Sequence, residues 1–240
     1  MTNIKDFFTK QEIKNNLKII FFALIAAILF RSFLYEPFYI PSGSMKSTLL
    51  EGDIVAVSKF KYGFSRHSLP YSLPIIKGRI LDKHKPQRGD IIVFRLPSNT
   101  NIHYIKRLVG LPGDTIQLIS GVLYINGKEI KREENGVFFD EKTNKELLQY
   151  TENLDEKIKY NVLQEKVFIS EINNTKEYKI PENHYFFLGD NRDNSLDSRF
   201  EDLGPGFVHY DNIVGKAEII LFSKKQNSLK IRFNRIFNVL

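Results

Sequence analysis

The sequence predicts a mainly β chain carried on a single N-terminal transmembrane helix. Two observations carry that reading. An uninterrupted apolar run occupies positions 19–30, and the chain beyond it breaks into short segments of β-type residues punctuated by Gly and Pro. A third supports the β assignment: Asn126-Gly127 stands between Tyr124-Ile125 and Lys128-Glu129-Ile130. Asn-Gly suits a two-residue hairpin turn, where both central residues need positive φ.

Residues 19–30 alone are short for a bilayer, which needs about 20 residues. Extending the run to 17–35 adds only Lys18 and Arg31 as charges. Both lie near its ends, where long stems reach head groups. A spanning helix over 17–35 is therefore preferred to a buried core helix. No small-x-small site follows the run, which favours an uncleaved anchor over a cleavable leader. Lys5, Lys10, Lys14 and Lys18 place 1–16 in the cytoplasm and everything after Tyr35 outside. The strand-like segments that follow are 53–58, 90–95, 104–109, 115–119, 122–125, 185–188 and 213–222. The tail 223–240 mixes Lys and Arg with Leu229, Ile231, Phe233, Ile236 and Phe237. It reads as a packed final strand in preference to a segment lying on the membrane.

The chain has 240 residues, enough for a sizeable core, and no cysteine, which excludes disulfides, thiolate metal sites and cysteine nucleophiles. Its net charge of +7 is scattered and accompanies no nucleic-acid motif, so anionic lipid is the expected acidic neighbour and nucleic acid is not.

The chemistry concentrates in three stretches. Ser44 lies in Pro41-Ser42-Gly43-Ser44-Met45-Lys46-Ser47-Thr48-Leu49-Leu50-Glu51-Gly52-Asp53, and Lys106 lies in Tyr104-Ile105-Lys106-Arg107. A serine hydroxyl needs a proton acceptor to act as a nucleophile, and an amine serves when burial keeps it unprotonated. The third stretch is Gly189-Asp190-Asn191-Arg192-Asp193-Asn194-Ser195-Leu196-Asp197-Ser198-Arg199. Its carboxylates suggest calcium, but an EF-hand register started at Asp190 puts Arg192 at a ligand position and Ser195 where the turn glycine belongs. No metal or cofactor is expected.

With Glu36-Pro37-Phe38, Arg88-Gly89-Asp90-Ile91-Ile92-Val93-Phe94 and the continuation Leu108-Val109-Gly110-Leu111-Pro112-Gly113-Asp114, these blocks stand in the order found in bacterial type I signal peptidases, which the chain closely resembles. The resemblance implies a catalytic β-domain, 36–130 and 181–240, with a second β-rich domain inserted at 131–180. It implies a serine endopeptidase of the outer face of the plasma membrane that cuts signal peptides from exported preproteins after small-x-small sequences. By the same resemblance Ser44 is the nucleophile and Lys106 the general base. Ser42 and the Ser44 amide form the oxyanion hole, Ser195 orients the lysine, and Asp197 with Arg199 supports the loop behind it. Phe38, Ile40, Met45, Leu49, Val55, Val93, Tyr104 and Ile105 are expected to line shallow substrate pockets. Their alternative reading is ordinary core, strongest for Val55 and Val93. The family usually has proline where this chain has Ser47, which leaves the turn after the nucleophile less restricted.

Three rival readings stand beside this one. The five histidines keep a Ser-His-Asp hydrolase open, but no Gly-x-Ser-x-Gly elbow surrounds Ser44. A self-cleaving repressor shares Ser-Lys chemistry yet needs a helix-turn-helix where this chain has its apolar run. A tethered β-domain that only binds exported chains is separated by testing for cleavage. Ser44 is nine positions beyond Tyr35, so at about 3.6 Å per residue it lies within roughly 32 Å of the anchor's end.

Overall fold

Helix α1 (Lys10–Phe33) runs into strand β1 (Tyr35–Tyr39) with one residue between them. The computed structural model describes residues 10–69, 72, 76–155, 158–167, 169–226 and 228–240. At 24 residues and 1.5 Å per residue, α1 is about 36 Å long. Leu17, Ile20, Phe22, Leu24, Ile28 and Leu29 are each more than half exposed. Apolar exposure all round is what a helix solvated by lipid presents, and 11–33 is long and apolar enough to cross a membrane. Lys5, used for orientation, lies outside the described residues.

The helix stops at Phe33, two residues short of the expected anchor end at Tyr35, because Pro37 pushes Glu36 into extended backbone. Tyr35 already pairs with Ser58. Proline is tolerated there because β1 is an edge strand. The junction is braced: Lys59 N–H donates to Leu34 O at 2.9 Å, the Phe33 and Phe64 ring centroids are 5.5 Å apart, and Glu36 accepts from Arg31 at 2.8 Å and from Lys59 at 3.0 Å.

The chain continues through β2 (Asp53–Ser58), β3 (Phe64–Ser65), β4 (Arg79–Ile80), β5 (Ile91–Leu96) and β6 (Asn99–Gly110). It then forms β7 (Thr115–Ile119), β8 (Val122–Ile125), β9 (Lys128–Glu129), β10 (Arg132–Asp140), β11 (Lys145–Asn153) and β12 (Lys159–Glu165). The short helix α2 (Ser170–Asn173) and β13 (Tyr178–Lys179) lead into β14 (His184–Leu188), β15 (Val208–His209) and β16 (Ile213–Ser223). The described residues are thus predominantly β with one long apolar N-terminal helix. Seven strands form an antiparallel sheet in the order β1-β2-β16-β5-β6-β14-β15, β13-β7-β8-β9 form a second sheet, and β10-β11-β12 a third.

Every strand-like segment expected from the sequence is a strand, three of them at the expected bounds: β2, β7 and β8. The Asn126-Gly127 turn joins β8 to β9 with φ of 54° and 73° and pairs Ile125 with Lys128, the geometry its residues favour. Strand β6 begins five residues before the expected 104, because pairing of Arg95 with His103 in the β5–β6 hairpin holds its exposed, polar first half. The expected final strand does not form: among the described residues beyond Ser223 the tail makes isolated bridges and one short 3-10 turn, with Phe237 N–H donating to Ile220 O at 2.7 Å and Leu240 N–H to Glu218 O at 2.9 Å. Arg232 and Arg235 bind the buried Asp53 carboxylate. Its apolar side chains largely do not pack, since Leu229, Phe233 and Phe237 are exposed.

The core is divided. Ile40, Met45, Leu49, Val55, Val93 and neighbours form one cluster under residues 42–49. A second fills the space around β7, β8 and β14, and a third lies among β5, β14 and β15.

Candidate active site

Residues 41–52 form the loop from β1 to β2, and its base is closed by Ile40 N–H to Asp53 O and Gly52 N–H to Ile40 O, both 2.9 Å. Gly52 sits at φ +88°, and a Cβ there would meet Lys224 O at 2.0 Å, so only glycine fits. Inside the loop, Thr48 and Leu49 N–H both donate to Met45 O. Met45 and Leu49 are fully buried and pin this helix-like turn from below, each burial contributing about 2 kcal/mol. Ser44 is thereby held at the top of the apolar cluster.

Lys106 comes from β6, where pairing with Ile92 on β5 fixes its register. Its Nζ lies 2.6 Å from Ser44 Oγ and donates to Ile105 O at 3.2 Å. Both side chains are buried, Ser44 8% and Lys106 4% exposed. Burial drives the Lys106 amine down to about 8, opposed by the Asp197 and Asp190 carboxylates and aided by Arg199. An amine that gives up its proton near pH 8, in contact with a hydroxyl, can accept that hydroxyl's proton.

Asp197 and Arg199 are buried and paired at 2.8 Å. Burial alone would raise the Asp197 carboxyl, but the Arg199 guanidinium outweighs it and holds it below the ordinary range. Asp197 also accepts from Gly189 N–H at 3.0 Å. The other carboxylates considered for calcium have protein partners: Asp190 takes a forked pair from Arg107 at 2.8 and 2.7 Å, and Asp193 accepts from Glu165 N–H at 2.7 Å.

Ser42 stands with the pair, its Oγ 3.4 Å from Ser44 Oγ. Ser195 does not join it as expected. Its hydroxyl is buried against Gly189, where a Cβ would meet Ser195 Oγ at 2.1 Å. Among the described residues it makes no hydrogen bond to Lys106, whose orientation is set by Ser44 Oγ and Ile105 O. The pocket set divides too. Ile40, Met45, Leu49, Val55 and Val93 are at most 1% exposed and belong to the core cluster, so their side chains support a surface without forming it. Phe38, Tyr104 and Ile105 are half-buried and do reach the surface. Of the histidines, His67 bonds Arg66 and Ser72, and the rings of His103 and Phe38 are 5.1 Å apart.

Sequence reasoning missed Asn191, whose side chain donates to Gly43 O at 3.0 Å and whose backbone N–H donates to Ser44 O at 3.1 Å. It also missed Thr48, which donates to Asp190 beside Arg107. For Asn191 the local signal was its place in the dense polar run at 190–194.

Residues 13–222 match the protein family described as "Signal peptidase, peptidase S26". A signal peptidase I of Rickettsia akari (strain Hartford) is 44% identical over 86% of this chain and 78% of its own length. One from Rickettsia bellii (strain OSU 85-389) is 40% identical, covering all of this chain and 92% of the relative. A crystal structure of a signal peptidase I from Enterococcus faecalis V583 is 30% identical and covers 55% of this chain and 97% of that one, with a TM-score of 0.34.

Proposed function

This chain belongs to the signal peptidase family, peptidase S26, and from that membership we propose that it is a membrane-anchored serine endopeptidase that removes signal peptides from exported preproteins by a Ser-Lys dyad. The observation that carries the dyad is the buried 2.6 Å contact between Lys106 Nζ and Ser44 Oγ, with the amine lowered to about 8. Ser44 Oγ attacks the scissile carbonyl as its proton passes to Lys106. The Ser42 hydroxyl and Ser44 N–H donate to the oxyanion, a role for which one donor contributes about 3 to 4 kcal/mol in other serine proteases. Lys106 returns the proton to the leaving amine, and water, deprotonated by the same lysine, releases the acyl-enzyme. Asp197 and Arg199 hold the loop behind the lysine. Residues 36–130 and 181–240 act as one catalytic unit, with 131–180 inserted.

The reading is tested by incubating the full chain in detergent with a preprotein and measuring product masses. One cut is expected, after a small-x-small sequence, because Phe38, Tyr104 and Ile105 leave shallow relief over a filled core. A preprotein with Phe immediately before the cut should be processed roughly 100-fold more slowly or worse. Efficient cutting of that variant would refute the pocket assignment.

Helix α1 is read as a single anchor with Lys10, Lys14 and Lys18 on the cytoplasmic side. Protease added outside intact spheroplasts should then digest the region beyond Tyr35. Protection of that region would reverse the orientation.

A further inference from the structure

Two residues after Ser44 stands a second buried lysine, whose amine binds partners other than the dyad. Lys46 Nζ donates to both carboxylate oxygens of Asp140, at 2.8 and 2.9 Å, and lies 3.9 Å from Glu51 Oε1. Lys46 and Asp140 side chains are each 8% exposed. Asp140 is the last residue of β10, ninety-four positions along the chain. In the following turn, Lys142 donates its backbone N–H to Asp140 at 3.1 Å and its ammonium to Glu51 at 3.1 Å. The Lys46 stem passes over Gly43 so closely that a Cβ there would meet Lys46 Cε at 2.8 Å. Gly43 is therefore contacted twice, by Asn191 at its carbonyl oxygen and by the Lys46 stem beside its Cα. Ser47, where the family usually has proline, donates to Asn161 O on β12 at 3.0 Å.

From this geometry we propose that Lys46 is a positioning residue: by tying the nucleophile loop to Asp140, it makes the β10–β11 hairpin the element that holds the Gly43–Ser44 peptide in its working orientation. The inference rests on the reading of Ser44 as nucleophile. A ring at 47 would restrict this loop through its own φ; here side-chain bonds to a distant sheet supply the restraint. Small displacement of a reacting group is enough to lower the rate of the chemical step, about 100-fold for 1 Å. Loss of the tether acts on kcat and leaves substrate affinity alone, because neither Lys46 nor Asp140 belongs to the surface formed by Phe38, Tyr104 and Ile105.

The test is a double-mutant cycle on the full chain in detergent, with kcat and KM measured for one preprotein. Asp140→Asn and Lys46→Met should each lower kcat about tenfold or more with KM within twofold of wild type. The Asp140→Asn/Lys46→Met double variant should be no slower than the worse single. A kcat for Asp140→Asn within twofold of wild type, or losses that multiply in the double variant, overturns the proposal. If either single variant fails to fold, Lys46→Met/Asp140→Leu leaves neither member of this pair charged without the other. Reduced kcat at unchanged KM in that folded variant supports the tether, and wild-type kcat overturns it. An inactive wild type, or cleavage by Ser44→Ala, refutes the nucleophile reading instead, and those two controls separate the failures.

Discussion

Folded Lys106→Arg protein is expected to cleave a preprotein at least about 10⁴-fold more slowly than wild type in single-turnover assays. The substitution keeps charge and similar length, but a guanidinium stays protonated at any working pH and cannot accept the Ser44 proton. Ser44→Ala should fall to the same floor, and the double variant no further, because the two groups act as one unit. The wild-type pH profile carries the sign. Burial lowers the Lys106 amine to about 8, so the reactive neutral form is scarce below that pH. The rate should rise about tenfold per pH unit on the acid side and level off above 8. Substantial activity in Lys106→Arg would remove the lysine from the mechanism, and a rate flat from pH 6 to 9 would leave its titration without a role.

Glu152→Ala should destabilise the folded chain by about 3 to 5 kcal/mol, the usual consequence of stranding one member of a buried ion pair. Glu152 on β11 and Arg192 in the loop after β14 form a forked pair, one arm at 2.7 Å, with side chains 0% and 1% exposed. The Tyr160 hydroxyl completes the carboxylate's bonding at 2.8 Å, and Arg192 also donates to Gly189 O at 3.2 Å. Removing the carboxylate leaves the guanidinium in a place water does not reach. For a chain of this length the loss corresponds to a drop in Tm of roughly 10 °C. Glu152→Leu with Arg192→Met, which removes both charges, should recover much of it. A Glu152→Ala melt within 2 °C of wild type would show that the pair contributes little.

The candidate site was legible because its residues lie in short, ordered blocks. Ser44 and Lys106 could be picked out from their local residues, and the structure brings them together across 62 positions. Their supports were not legible in the same way. Lys46 reads as a solvated loop lysine until Asp140, on another sheet, is placed beside it. Glu152 reads as a surface strand residue until Arg192 covers it. Such pairs carry no periodicity, and nothing local announces the partner. The β10–β11 hairpin was hidden for a related reason: β10 is exposed on both faces along most of its length, so the alternation that marks a half-buried strand is missing. Five of the eight expected pocket residues lie instead in the core cluster. Ile40, Met45 and Leu49 neighbour the serine in sequence, yet alternation and the helix-like turn send their side chains down into the core.

The junction between α1 and β1 is one residue long and is braced by Arg31, Glu36 and Lys59, which limits the play between helix and sheet. With α1 embedded in a bilayer as proposed, Ser44 would be held close to a set height above the lipid. On the proposed function, a preprotein would have to bring its scissile peptide to that height, so the length between its own apolar segment and the cut would matter as well as the side chains at the cut.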